Sequence, residues 1–279
     1  MYSLHKIPVS VLLFFLFSSA PGSDPFLISA GAAEAGMNYS CITVPGFWSS
    51  FHNQALLPLN KSASFAFNYQ NRFSISELGT RSAGLIIPAG NACLGALYSN
   101  FGNKDFSRHT AGLACGLKLS EKISAGIQTD FFFEKTPGEY SERRSVTFEA
   151  GVLIMPSEKI TIGLHLFNPV PGSLRKTFLP SSIRAGAGIQ LNRILYACAE
   201  AEISTGKNLI LKTGIEYEPA NSFRIRGGFS SENTSFSFGI GYQLKFGQLD
   251  LGFATHDRLG VTSSASVIFN LNNKSKLNK

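Results

Sequence analysis

The sequence predicts an all-β protein: a transmembrane antiparallel β-barrel of about 14 strands with a short N-terminal hatch, or plug, inside it. Three observations carry the barrel part of that expectation. From residue 62 onward, apolar residues recur at every second position, which places them on one face of each strand. The alternating segments are each near 10 residues, the length a tilted strand needs to cross a bilayer. Short and long links alternate strictly through the first eight strands, as expected of outer-membrane barrels with tight periplasmic turns and longer external loops.

The first element is a signal peptide over residues 1–22. Lys6 precedes an apolar run from Ile7 to Phe17, and small residues follow in SSAPG, the three-part build of a secretory signal. The run is too short for a membrane helix, which needs about 20 apolar residues. Cleavage after Gly22 sets Ala20 and Gly22 at the two recognition positions, whereas a cut after Ala20 would leave Pro21 first. No cysteine lies near either site, so a lipid anchor is not expected. Beyond residue 22 no apolar run approaches 18 residues, which excludes helical membrane spans.

Composition supports a surface that is not wholly wetted. The chain of 279 residues is 44% hydrophobic and 15% charged, against roughly 25% charged in a soluble domain. The net charge of +7 is partly a tail effect, since Lys274, Lys276 and Lys279 lie in the polar basic stretch 272–279. There is no basic and aromatic stripe of the kind nucleic acid requires, so nucleic acid is not an expected partner; lipid is.

Residues 23–60 form the second element. The stretch GMNYSCITVPGFWSSFHNQALLP, Gly36 to Pro58, holds the single tryptophan and does not alternate. It reads as a hatch in which Phe47, Trp48 and Phe51 pack inside the barrel; a periplasmic lid over the barrel mouth is the alternative.

Residues 61–271 form the barrel. In SASFAFNYQ, the face Ala63, Phe65, Phe67, Tyr69 opposes Ser62, Ser64, Ala66, Asn68, Gln70, and HTAGLACGLKL behaves likewise. A ring of about 14 strands is too wide to be filled by its own side chains, so the apolar face belongs against lipid. The inward face is small, with glycines such as Gly126, Gly151, Gly214 and Gly228. They either relieve strand curvature or let backbone or ligand approach the wall. Inward charges gather on the eighth to eleventh strands: Arg184, Glu200, Glu202, Lys212, Glu216, Arg224 and Arg226. They are either a structural ion-pair network or an electrostatic lining for a permeating or docked group.

Catalytic chemistry is not expected. None of His52, His109, His165 and His256 has a serine two residues on, and a nucleophilic serine needs a base within hydrogen-bond reach. Glu200 and Glu202 share a face, but Arg184 and Lys212 make ion pairing their default. Cys41, Cys93, Cys115 and Cys198 lack metal-ligand spacing; an oxidising compartment permits a Cys41–Cys198 bridge without specifying it. No metal or cofactor is expected. Asn38, Asn60, Asn233 and Asn273 are glycosylation acceptors only in a eukaryotic secretory route.

The stretch AGAAEAGMNYSCITVPGFWSSFHNQALLP resembles the N-terminal segment of the FadL-like outer-membrane barrels. That group includes long-chain fatty-acid transporters and the Bacteroidota-type PorV/PorQ barrels of the type IX secretion system. Ala35, Gly36 and Met37 match the opening of its pattern; Asn53, Ala55, Leu56 and Leu57 match its end, with Gln54 in place of the usual proline. GQLDLGFATHDRLGVTSSASVIFNL resembles its closing hairpin, with Phe269 as the late aromatic of an assembly signal. The resemblance implies a 14-stranded barrel in the bacterial outer membrane with a hatch built on Gly36, Met37, Phe47, Trp48, Phe51, Asn53 and Leu56. The modest loops favour the PorV/PorQ side, whose members assist secretion or surface attachment of exported proteins, with secretion-system components or exported proteins as partners. A conduit for hydrophobic small molecules such as long-chain fatty acids is the alternative, and a structural outer-membrane component a third.

Overall fold

The computed structural model describes residues 30–136, 142–169 and 179–271. The expected signal at 1–22, the start of the expected hatch segment at 23–29 and the expected tail at 272–279 lie outside the described residues.

Fourteen antiparallel strands close into one barrel: β1 Ser64–Asn71, β2 Gly79–Ala89, β3 Ala92–Gly102, β4 Ser107–Lys118, β5 Ile123–Lys135, β6 Glu142–Ser157, β7 Ile160–Phe167, β8 Ser182–Asn192, β9 Leu195–Ser204, β10 Ile210–Ala220, β11 Phe223–Ser230, β12 Ser235–Gln243, β13 Gly247–His256 and β14 Gly260–Asn270. Each strand pairs with its sequence neighbours, and β1 pairs with β14 from Ser64↔Asn270 to Asn71↔Ser263, so the sheet has no free edge. Turns of two residues join β2 to β3, β6 to β7, β8 to β9 and β10 to β11. They define a short-turn rim; the opposite, long-loop rim carries the links after the odd-numbered strands.

Alternation sorts the side chains as the pattern predicts. Along β4, Arg108, Thr110, Gly112, Ala114 and Gly116 are buried and turned inward, while Leu113 is 72% exposed on the outside; Ile127 on β5 is 66% exposed. Apolar side chains exposed around the whole wall are what a membrane-spanning barrel requires. No described helix is long and apolar enough to cross a membrane.

The lumen is filled by the segment ahead of β1. It contains α1 (Ala32–Ala35), α2 (Ser49–His52) and a 3-10 turn over Gln54–Leu59. Helices of one turn are not stable alone, so these pieces depend on the wall around them. Ala32, Met37, Cys41, Trp48, Phe51 and Leu56 are all buried. The segment therefore occupies the barrel interior and does not cap its mouth.

Candidate functional site

The hatch touches the wall on every side. Phe47, Trp48 and Phe51 form one aromatic group, with Phe47 and Trp48 edge to face at 5.0 Å between ring centres, and pack with Ala66, Ile86, Cys93, Leu97 and Ala114 of β1–β4. Met37, Cys41 and Val44 pack across the lumen with Cys198 of β9. Ala55 and Leu56 pack on Leu153 of β6.

Glycines make that contact possible. A side chain at Gly228 would run into the Met37 backbone, and one at Gly126 into the Gln54 backbone; at Gly239 an added Cβ would lie 3.0 Å from Gly36 Cα. Of the two roles open to these glycines, close backbone approach is the one seen at these positions.

Polar groups fix the rest. Asn53 caps the 3-10 turn, accepting from Ala55 N at 3.1 Å, and donates to Ile42 O at 2.8 Å. Gln54, at the position where the resembled pattern has proline, donates to Glu149 Oε2 at 2.7 Å and faces Gln128 at 3.4 Å. His165 Nε2 donates to the same Glu149 oxygen at 3.0 Å, and Gln128 donates to Asp130 Oδ1 at 2.8 Å. This buried group on β5–β7 was not singled out from sequence, although alternation already turns Gln128, Asp130, Glu149 and His165 inward.

The seven expected lumen charges do not form one cluster. Toward the long-loop rim, Arg184 pairs with Glu200 and lies 3.9 Å from Glu202, which holds Lys212 at 2.6 Å. Toward the short-turn rim, Arg226 bridges Glu216 at 2.6 Å and Asp250 at 2.7 Å, and Arg224 meets Glu218 at 3.3 Å. The upper group is bonded to the hatch: Glu200 Oε2 accepts from Cys41 N at 3.2 Å and Ile42 N at 3.4 Å, and Arg184 Nη2 donates to Tyr39 O at 2.9 Å. These charges are paired with one another and with hatch backbone.

All four cysteines are free thiols. The permitted Cys41–Cys198 bridge is not formed; Cys198 Sγ instead donates to Ser40 O at 3.0 Å. His256 contacts Asp257 at 2.8 Å on the long-loop rim.

Burial shifts the titratable hatch groups, which lie off the membrane-crossing strands, and Glu34 and His52 show it in opposite directions. Glu34 accepts from Ser49 Oγ at 2.7 Å through Oε1, while its Oε2 has no partner among the described residues; burial pushes its pKa up to about 7 against the lowering effect of Ser49. His52 donates from Nε2 to Ala30 O at 2.9 Å, and burial depresses its pKa to about 3, so it is neutral.

The hatch separates two cavities. The one at the long-loop rim, about 160 Å³, has Tyr39, Arg72, Arg184, Glu202 and Lys212 in its wall. The one at the short-turn rim, about 470 Å³, combines Met37, Val44, Phe47, Trp48, Tyr196 and Ile268 with the Arg224–Arg226 ion pairs.

No family model matches the chain. No curated protein matches it in sequence. Solved structures do match in fold. A monoaromatic hydrocarbon channel, a deletion mutant of TodX, aligns at a TM-score of 0.68 and 11% identity over 87% of this chain and 99% of its own. A Pseudomonas aeruginosa FadL homologue aligns at 0.63 and 13% identity over 90% and 99%. The Pseudomonas putida toluene transporter TodX aligns at 0.61 and 11% identity over 87% and 96%. The chain thus has the fold of the FadL-type outer-membrane barrels.

Proposed function

We propose that the chain is a non-enzymatic outer-membrane conduit for hydrophobic small molecules, closed at rest by its N-terminal hatch. The observation that carries this reading is the cavity of about 470 Å³ beneath the hatch, walled in part by Met37, Val44, Phe47, Trp48 and Tyr196. A volume of that order suits a small ligand; these apolar side chains share the wall with Glu216, Glu218, Arg224 and Arg226, so the cavity offers an apolar surface to the body of such a ligand beside a charged one. The fold neighbours named as a hydrocarbon channel and a toluene transporter support the same substrate class.

The sequence alone favoured a secretion accessory of the PorV/PorQ kind. That preference rested on loop length, and short loops do not distinguish a small conduit from an accessory barrel. The fold neighbours favour the conduit.

Passage requires the hatch to move, because buried Asn53, Gln54, Ala55, Leu56 and Leu57 lie between wall strands. Deleting the gene and measuring entry of toluene and of a long-chain fatty acid, alongside the surface-attached proteins, tests the reading. Slowed uptake with an unchanged surface proteome is expected. Unchanged uptake with loss of surface proteins would overturn it in favour of the secretion accessory.

A further inference from the structure

Outward-facing cations are gathered on one side of the long-loop rim. Followed sideways on the outer face, the strand register places Tyr69 of β1 opposite Arg81 of β2, Arg81 opposite Asn100 of β3, and Asn100 opposite His109 of β4. His109 stands opposite Phe133 of β5, and Phe133 opposite Arg144 of β6. These residues make one row at a single height, just inside the ends of the strands. Four inter-strand steps of about 4.8 Å set Arg81 and Arg144 about 19 Å apart along the wall. One outward position nearer the rim, Lys135 lies opposite Glu142.

Aromatic rings lie beside both arginines of the row. The Arg81 guanidinium lies 5.9 Å from the Tyr69 ring centre, and that of Arg144 lies 5.5 Å from the Phe133 ring centre. A guanidinium over an aromatic face gains a cation–π contact and keeps its in-plane N–H donors for an anion. Between the arginines, His109 Nδ1 meets the Tyr98 hydroxyl at 2.7 Å and Asn100 Nδ2 at 3.3 Å. Arg144 contacts Glu142 at 3.2 Å, but both are well exposed, so that pair holds the cation weakly. On the strands, three outward cations, Arg81, Lys135 and Arg144, thus share this patch with one carboxylate, Glu142, and the described loop residues above it add exposed Glu77, Lys104 and Asp105.

The rest of the circumference differs. Among the described residues of β7–β14, outward strand positions in the same half are apolar or hydroxylic, as at Ile183, Ile203, Leu211, Phe236 and Val261. Arginines that merely reach the nearest water could stand on any strand; these share one register row. Directly below them lies an apolar belt that includes Phe67, Leu113 and Phe131, all exposed.

We propose that this row binds the phosphate of a phosphorylated glycolipid in the outer leaflet, with the acyl chains on the belt below. The charge is complementary, and the aromatic and cationic layers follow the order of acyl chain and headgroup in a lipid. The site is separate from the lumen, so it holds whether or not the barrel is a conduit.

The test is native mass spectrometry of the full chain, purified from outer membranes into neutral micelles. The probes are a bis-phosphorylated lipid A-type glycolipid, its dephosphorylated form, and phosphatidylglycerol. The wild type is expected to keep the phosphorylated glycolipid in preference to both others. Arg81→Gln with Arg144→Gln should weaken retention about 30-fold and each single change about fivefold, in line with the usual effect of one basic residue at an anionic membrane surface. The double Lys variant should restore part of the binding, and Arg193→Gln on the opposite rim should change nothing. Heat-modifiable gel mobility verifies folding, and if the double variant does not fold the single variants decide. Retention equal to wild type in folded variants would overturn the proposal. So would equal retention of the dephosphorylated glycolipid or of phosphatidylglycerol.

Discussion

Single residues of the wall decide whether the hatch fits. Gly227 and Gly228 are neighbours on β11, yet a side chain at Gly228 meets the Met37 backbone, while one at Gly227 comes only within 3.5 Å of Ile215 Cγ2 on the outer face. Gly228→Ala should therefore strain the hatch by about 1–3 kcal/mol through overpacking, and Gly227→Ala should leave it in place. Hydrogen exchange of residues 36–44, with bilayer conductance as a second reading, checks this; equal behaviour of the two variants would refute it. Glu34 adds a dependence on pH. Its folded pKa of about 7 lies above the ordinary 4.5, so the folded hatch binds the proton more tightly than the unfolded segment does. The stability this contributes is complete below about pH 4.5 and is lost as pH rises through 7. Once the intrinsic base catalysis of exchange is divided out, the protection of the hatch amides is accordingly expected to be lower at pH 8 than at pH 5.5. Glu34→Gln, which can still accept from Ser49, should flatten that difference.

At the scale of elements, strands and hatch differ in how far the sequence reveals them. A period of two is a local signal, so β4 and β8 are legible from a dozen residues each. The hatch is legible by contrast, as an aromatic stretch without that period. What holds it in place was not legible, because Gln54 meets Glu149 across 95 positions of chain and Cys41 N meets Glu200 across 159. Such contacts follow from barrel closure and hatch depth, which no local pattern encodes. The inward charges were legible residue by residue, but their division into an upper group on the hatch and a lower group around Arg226 was not. The upper group is the one bonded to hatch backbone. Glu200→Gln removes the main counter-charge of buried Arg184 and weakens two acceptor contacts to hatch backbone. Breaking a buried ion pair costs about 3 kcal/mol or more, so this variant should release residues 39–42 to exchange at a temperature where the wall strands stay protected. Glu216→Gln, in the group not bonded to that segment, should not. Loss of wall and hatch protection together would show that the pair supports the barrel rather than the hatch.

For the whole molecule, closure depends on the ladder that joins its two ends. β1 and β14 are about 200 residues apart in sequence, and pairing over such a separation carries the largest loop-closure cost in the sheet. Aromatic stacking reinforces the seam: the Phe269 ring stacks on Phe65 at 4.8 Å between centres and faces Phe246 at 6.3 Å. Phe269 also pairs in register with both Phe65 and Gly247. Each such aromatic pair contributes about 1 kcal/mol beyond its buried area, and Phe269 belongs to both pairs whereas Phe246 belongs to one. An open seam exposes the edges of β1 and β14 to other chains, so a small energetic loss there becomes a large loss of assembled protein. Phe269→Ala is therefore expected to reduce the heat-modifiable, outer-membrane fraction more than Phe246→Ala does. The closed minority should keep normal mobility, because the remaining ladders are untouched. If the two variants assemble equally well, the seam is not the limiting step, and the barrel closes through backbone pairing alone.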